Sequence, residues 1–247
     1  MAKSGEKTYF KKIGEEGMAF TLAKPFSDPG NVGGLLSDIA AVFSFLPQPP
    51  AKLIDLGCGS GWTSNFYAQA GYDVTGVDIA PDAVKAAKKR FTKPELKLTF
   101  VCADYDNLKY NDRFDAAVFF DALHHAENEV DALRAAYKTL KPGGQIILCE
   151  PGVGHSKAPS SIEAMEKYGV NERDMPPKLS KKALRQAGFT NIKVYAYPAI
   201  THRALYKSWV GPKAVRNGSI ARAAVTTMLS TFMRRSHGIV VATKPAE

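Results

Sequence analysis

Leu53-Ile54-Asp55-Leu56-Gly57-Cys58-Gly59-Ser60-Gly61 reads as an apolar strand that reaches an aspartate and breaks into three glycines at alternate positions. Trp62 then opens a segment with helical character. A strand that enters such a loop and leaves it as a helix presents unhindered backbone, free to adopt positive φ, against which an adenosyl group can lie. The stretch therefore predicts a nucleoside-type cofactor. A dinucleotide fingerprint places glycine at relative positions one, three and six, with pyrophosphate on the helix N-terminus. Here the third glycine comes at position five and Trp62 stands at position six, where an indole opposes the close packing that the sixth glycine permits.

Downstream, strand and helix patterns alternate. Tyr72 to Val77 is a second strand closing on Asp78, a carboxylate placed to accept hydrogen bonds from both ribose hydroxyls. Pro81 opens a helix with Val84, Ala87, Lys88 and Phe91 on one face, which the pattern lays on the sheet. Leu96 to Cys102 is a third strand ending in Ala103-Asp104-Tyr105, and Phe114 to Phe120 a fourth, followed by Asp121-Ala-Leu-His124-His125. The next helix carries Val130, Leu133, Tyr137 and Leu140 and stops at Lys141-Pro142-Gly143-Gly144. Gln145 to Cys149 is a fifth strand, ended by Glu150. Such alternation with short connections predicts parallel βαβ units and a doubly wound α/β sheet over residues 51–150.

With Asp-x-Gly-x-Gly-x-Gly at the first strand and acids ending the second and third, the chain resembles class I S-adenosylmethionine-dependent methyltransferases. The resemblance implies a Rossmann-like seven-stranded, mostly parallel sheet with helices on both faces and an antiparallel last strand. It implies S-adenosyl-L-methionine as cofactor. Asp55 would hold its ammonium through water or backbone, Gly57, Gly59 and Gly61 would form the loop beneath it, and Asp78 with Ile79 would take the ribose. Asp104 and Tyr105 would bind and flank adenine, and Phe120 would end the fourth strand beside the cofactor. Asp104 also admits a plainer reading as a loop-capping aspartate.

Methyl transfer from a sulfonium is an in-line displacement with an activated leaving group, so alignment and exclusion of water are the main demands. An alcohol acceptor adds the need for a base, and a histidine at the end of the fourth strand stands where ligands bind in open α/β sheets. His124 and His125 are there, and Glu150, ending the adjacent strand, can orient one of them. Leu-His-His followed by a helix and an acid resembles small-molecule and sugar O-methyltransferases. One catalytic histidine is expected, His125 ahead of His124, the other being structural. The expected reaction is methylation of a hydroxyl on a sugar or glycan precursor. The alternatives are N-methylation of a small amine and a non-catalytic interaction module built on the same fold.

Composition is that of a globular enzyme: 45% apolar and 23% charged residues in 247. No apolar run is long enough for a transmembrane helix, and the lysine-rich start (Lys3, Lys7, Lys11, Lys12) has no apolar stretch behind it, so a cytoplasmic protein is expected. Cys58, Cys102 and Cys149 have no metal-ligand spacing and read as reduced, mostly buried thiols, with no metal expected. Of the net charge of +9, residues 175–247 hold 13 Lys and Arg against Glu247, +12, leaving −3 for the rest. Such asymmetry suits an anionic or sugar-linked substrate, a membrane surface, or merely a solvated basic face. Nucleic acid is a minority reading, since no RNA-binding module is legible and an Asn-Pro-Pro-Tyr motif is absent after the fourth strand.

One methyltransferase domain is expected over residues 1–247. Residues 1–31 read as a loose N-terminal arm, with a lid over the cofactor as the alternative, and Val32 to Leu46 as a helix laid on the sheet. Ile162 to Tyr168 is a short helix, and Ser180 caps another that stops at Gly188. Asn191 to Tyr197 and Gly238 to Thr243 are the sixth and seventh strands. Between them, residues 198–237 form an insertion with Ile220, Ala224, Met228 and Phe232 in a helical stripe, read as a substrate cap, a homodimer contact or an interfacial helix.

Overall fold

The computed structural model describes residues 2–199, 202, 228 and 236–246. Seven strands form one sheet: β1 (Lys52–Leu56), β2 (Asp73–Asp78), β3 (Leu98–Cys102), β4 (Phe114–Phe120), β5 (Leu140–Cys149), β6 (Thr190–Tyr195) and β7 (Ile239–Thr243). Their order is β3-β2-β1-β4-β5-β7-β6. Strands β1 to β5 pair in parallel, and β7 runs antiparallel to both β5 and β6. The mostly parallel sheet with an antiparallel last strand is as expected. The order reverses between β1 and β4, and the loops that leave these strands part there, opening the crevice in which doubly wound sheets hold ligands.

Eight α-helices accompany the strands among the described residues: α1 (Ala2–Lys12), α2 (Gly14–Leu22), α3 (Val32–Phe45), α4 (Trp62–Gln69), α5 (Pro81–Phe91), α6 (Glu129–Thr139), α7 (Pro159–Tyr168) and α8 (Pro177–Gln186). Alternate residues of each central strand feed two cores, which is why these strands read as continuous apolar runs. Ile54, Leu56, Phe119 and Leu148 face Leu133 of α6 and Leu184 of α8. Leu53, Val74, Val118 and Ile147 face Ile39 and Val42 of α3, Tyr67 of α4 and Val84 of α5. Each such buried side chain contributes about 1.5–3 kcal/mol of apolar transfer energy, and together they fix the strand ends that carry the site.

Several expectations need correction. The loose arm expected over residues 1–31 is not what residues 2–22 form: α1 and α2 are helices that border the crevice. Strand β5 begins at Leu140 rather than Gln145. Its pairing skips from Phe114 opposite Leu140 to Ala116 opposite Gln145, so Lys141–Gly144 bulges out of the ladder, with Gly143 at φ +77°. Ser180 does not cap α8, which starts at Pro177; it is buried in the first turn, its hydroxyl near the carbonyls of Met175 and Pro176. Lys88 is exposed, and Ala83 takes its place on the buried face of α5. Cys58 and Cys149 are buried but Cys102 is exposed. The predicted helical stripe of residues 198–237 lies outside the described residues, apart from Met228.

Candidate active site

The glycine loop is shaped by what surrounds it. Gly57 and Cys58 both donate to the Val77 carbonyl, at 2.8 and 3.0 Å, tying the loop to β2. Gly61 begins α4 at φ +82°, and a Cβ there would lie 2.6 Å from the Phe100 ring and 2.9 Å from Ala87 Cβ. Gly61 thus supplies the close helix-to-sheet approach one position earlier than in a dinucleotide fold. Trp62 is buried against Phe66 and Phe120, with edge-on ring centroids at 6.0 and 5.4 Å. At Gly59, by contrast, a Cβ would meet only Phe10, at 3.5 Å. The backbone there is open to a ligand.

Asp55 lies beneath this loop. It is 1% exposed, and its Oδ2 accepts hydrogen bonds from the hydroxyls of Thr63 (2.7 Å) and Ser64 (2.6 Å), so it braces the start of α4 instead of lining the crevice. Burial pushes its carboxyl up to about 6, against the pull of the two hydroxyls. Asp78 reaches the crevice wall with Oδ2 on the Gly59 N–H and Oδ1 on the Ala80 N–H, both 2.8 Å. Burial raises its pKa and these two donors moderate the rise. Asp104 also lines the crevice and pairs with Lys3 of α1 at 2.8 Å, while Tyr105 packs edge-on against Phe119.

Strand β4 ends in Asp121, a non-glycine residue at φ +53°, whose N–H donates to the Cys149 carbonyl at 2.8 Å. A left-handed residue at a strand end is the kind of local strain that accompanies functional sites. The following tight turn, Leu123–His125, is organised by Glu150, which is 2% exposed. Its Oε1 accepts the N–H groups of Ala122 (3.1 Å) and Leu123 (2.8 Å), and its Oε2 accepts the His124 N–H (3.2 Å) and ring Nδ1 (2.9 Å). On its other side, His124 Nε2 lies 3.4 Å from Glu172 Oε2, and that same oxygen takes His155 Nε2 at 2.6 Å. Burial alone would lower the His124 pKa, but the bonds to Glu150 and Glu172 and the surrounding negative charge outweigh it and raise it to about 10. The converse holds for Glu172: burial raises it, and the bonds from His124 and His155 bring it down to about 2. His124 is therefore an imidazolium held between two carboxylates.

His125 is different. Its ring lies beside that of His124, 4.0 Å between centroids and tilted by 38°, and its side chain is 30% exposed. Nδ1 lies 2.6 Å from the Asn171 carbonyl, which can only accept, so Nδ1 carries the proton and Nε2 is the basic nitrogen. Burial and the His124 charge depress its pKa, while a contact with Glu6 and the charges of Glu6 and Glu172 raise it above the ordinary value overall.

These groups border one cavity of about 490 Å³. Of the residues singled out in the sequence, Gly57, Gly59, Asp78, Ile79, Asp104, Tyr105, Phe120, His124 and His125 line it; Asp55, Gly61 and Glu150 stand behind the wall. Helix α1 closes the opposite side with Glu6, Tyr9 and Phe10, and α2 is followed by Lys24. Glu6, His155 and Glu172 were not found in the sequence, and Tyr9 was legible only as one aromatic of a segment that could be a lid over the cofactor. No motif links them to the β4 end; only the aromatic pair Tyr9-Phe10 in a lysine-rich segment hinted at a buried face. The open backbone at Gly59, the paired acids at the ends of β2 and β3 and the enclosing aromatics fit an adenosyl group.

Residues 54–148 match the family described as Methyltransferase domain. A ubiquinone biosynthesis O-methyltransferase of Xanthomonas campestris pv. campestris is 31% identical over 102 residues, 40% of this chain and 43% of that protein. An uncharacterized methyltransferase of Bacillus subtilis, YodH, is 28% identical over 158 residues, 64% of this chain and 60% of its own. The chain thus spans under two thirds of the length of these curated relatives. In fold it is similar to phosphoethanolamine N-methyltransferase 2 of Haemonchus contortus, solved with S-adenosyl-L-methionine, at a TM-score of 0.69 and 19% identity over 98% of this chain and 60% of that one.

Proposed function

We propose that this chain, whose core is that of a class I S-adenosylmethionine-dependent methyltransferase, methylates a hydroxyl of a small polar acceptor, of the sugar or glycan-precursor class. When bound, S-adenosylmethionine supplies an activated methyl group on a sulfonium. Asp78 and Asp104 bind the nucleoside, the backbone at Gly59 lies under it, and Tyr9 and Phe10 keep water out. The observation that carries the reading is His125: it borders the cavity with Nδ1 tied to a carbonyl, which leaves Nε2 to take the acceptor's proton as the O–C bond forms and the C–S bond breaks. His124, already protonated, serves as a positioning residue and a fixed positive charge, and Glu150 holds the turn that carries both histidines. Asn128, Asp131, Ser160 and His155 give the acceptor end polar groups suited to a polyhydroxylated molecule. The +12 balance of residues 175–247 favours an anionic carrier on that acceptor.

The test is His125→Gln, assayed against nucleotide sugars and glycan precursors with mass-spectrometric location of the methyl group. A loss of about 10²–10⁴-fold in kcat with unchanged affinity for S-adenosylhomocysteine is expected; a variant within a few-fold of wild type refutes base catalysis. A second reading, N-methylation of a small amine, is favoured by Glu6, Asp121, Asp131 and Glu172 around the cavity, which attract a cation. It needs no base, and a methylated nitrogen in the product would identify it. Failure to bind S-adenosylhomocysteine at all would point to a non-catalytic interaction module instead.

A further inference from the structure

We infer that His124, His125 and Glu172 form a binding site for a divalent transition-metal ion at the acceptor end of the cavity. One ligand atom from each residue lies within 4.8 Å of the other two. In both residues the nitrogen that would not bind the ion is fixed by a hydrogen bond to an acceptor, as it is in metal-binding histidines. His124 Nδ1 is on Glu150 Oε2 at 2.9 Å, and His125 Nδ1 is on the Asn171 carbonyl at 2.6 Å. Each ring therefore offers Nε2. Glu172 is held in turn by His155 Nε2 at 2.6 Å, a donor to the candidate carboxylate ligand.

The gap between His124 Nε2 and Glu172 Oε2 is 3.4 Å. That is long for a charge-assisted hydrogen bond, but two ligands about 2.0–2.2 Å from a tetrahedral ion stand roughly 3.3–3.5 Å apart. An ion would take the place of the Nε2 proton that His124 otherwise holds. Glu150 and Glu172 supply the negative charge that offsets it. Two imidazoles and one carboxylate select zinc, cobalt or nickel over magnesium and calcium, and three protein ligands leave a position for solvent or an acceptor oxygen. Because His125 Nε2 would be both ligand and base, an occupied site closes the proton route of the proposed O-methylation. The ion then acts as an inhibitor of that route.

The experiment uses the full chain, stripped with chelator and titrated with Co²⁺ under visible absorption and with Zn²⁺ by calorimetry. Expected are one equivalent of each, ligand-field bands of nitrogen and oxygen coordination, and affinity at least about 10-fold weaker in Glu172→Gln and in His125→Gln. Both variants are checked for folding by binding of S-adenosylhomocysteine. Absence of saturable 1:1 binding, or equal affinity in wild type and both variants, overturns the site. The probe is the metal alone, so that result leaves the methyl-transfer reading intact. Loss of turnover in His125→Gln, conversely, does not depend on any metal.

Discussion

Asp55, the aspartate of the glycine-loop motif, is buried beneath the loop and braces the start of α4 through Thr63 and Ser64. An ionised carboxylate 1% exposed, held by the hydroxyls of Thr63 and Ser64, is only partly compensated for its lost hydration. Its pKa stands at about 6 against the ordinary 3.8, so the folded protein holds the proton more tightly than the unfolded chain does. For an acid raised in this way, the stabilising contribution is complete below the unfolded value and is lost as pH rises through the folded one. The difference between 3.8 and about 6 corresponds to about 3 kcal/mol, lost mostly between pH 4 and pH 6. Asp55→Asn keeps an oxygen for Thr63 and Ser64 and removes the titration. The stability of the asparagine variant relative to wild type, from denaturant unfolding without ligand, should rise by about 2–3 kcal/mol between pH 4 and pH 7. A pH-independent difference would show that the carboxylate ionises as freely in the fold as out of it.

At the scale of elements, the parts that the sequence makes legible and those it hides differ in how their contacts are made. The β1 loop, the acids ending β2 and β3, and the β4 turn depend on neighbours in the chain or on a repeated strand-helix pattern, and apolar periodicity exposes them. Helix α1 is lysine-rich and supplies no side chain to either buried core, so no apolar stripe announces it. Glu172 meets His124 only through the path of the segment after α7, which nothing local to Glu172 reveals. Helix α1 docks by fit: a Cβ on Gly5 would fall 2.0 Å from the Gly169 carbonyl oxygen. Lys12 on the Tyr168 carbonyl (2.9 Å) adds little, because it is exposed, whereas Lys3 reaches the part-buried Asp104 at 2.8 Å. Gly5→Ala should therefore lift α1 off the cavity, weakening S-adenosylhomocysteine binding by about 10-fold, or about 1.4 kcal/mol. The thermal midpoint should barely move, since both cores are untouched. Calorimetric titration beside a melting curve decides it, and unchanged affinity would mean that α1 does not help to hold the nucleoside.

For the whole molecule, the question is whether residues 51–150 make a unit that the C-terminal strands merely decorate. Strand β5 answers against it. Ile146, Ile147 and Leu148 are at most 1% exposed, and β5 lies inside the sheet only because β7 pairs along it from Gln145 opposite Thr243 to Cys149 opposite Ile239. Val240 and Ala242 belong to one core and Ile239 to the other, so a single short strand from the end of the chain completes both faces. Strand β7 is in turn covered by β6, with Tyr195 opposite Ile239. A chain ending at Phe189 would leave β5 as an open apolar edge, a template for pairing with other chains. It would also forfeit the burial of several large side chains, at roughly 1.5–3 kcal/mol each, against a total stability of only about 5–15 kcal/mol. Such a truncated chain is expected to aggregate or to lack a cooperative thermal transition, and to bind no S-adenosylhomocysteine, although every cavity-lining residue named above precedes the cut. A soluble truncated chain that melts cooperatively and binds the nucleoside would show instead that the first five strands fold alone and that the antiparallel strand was added to a finished core.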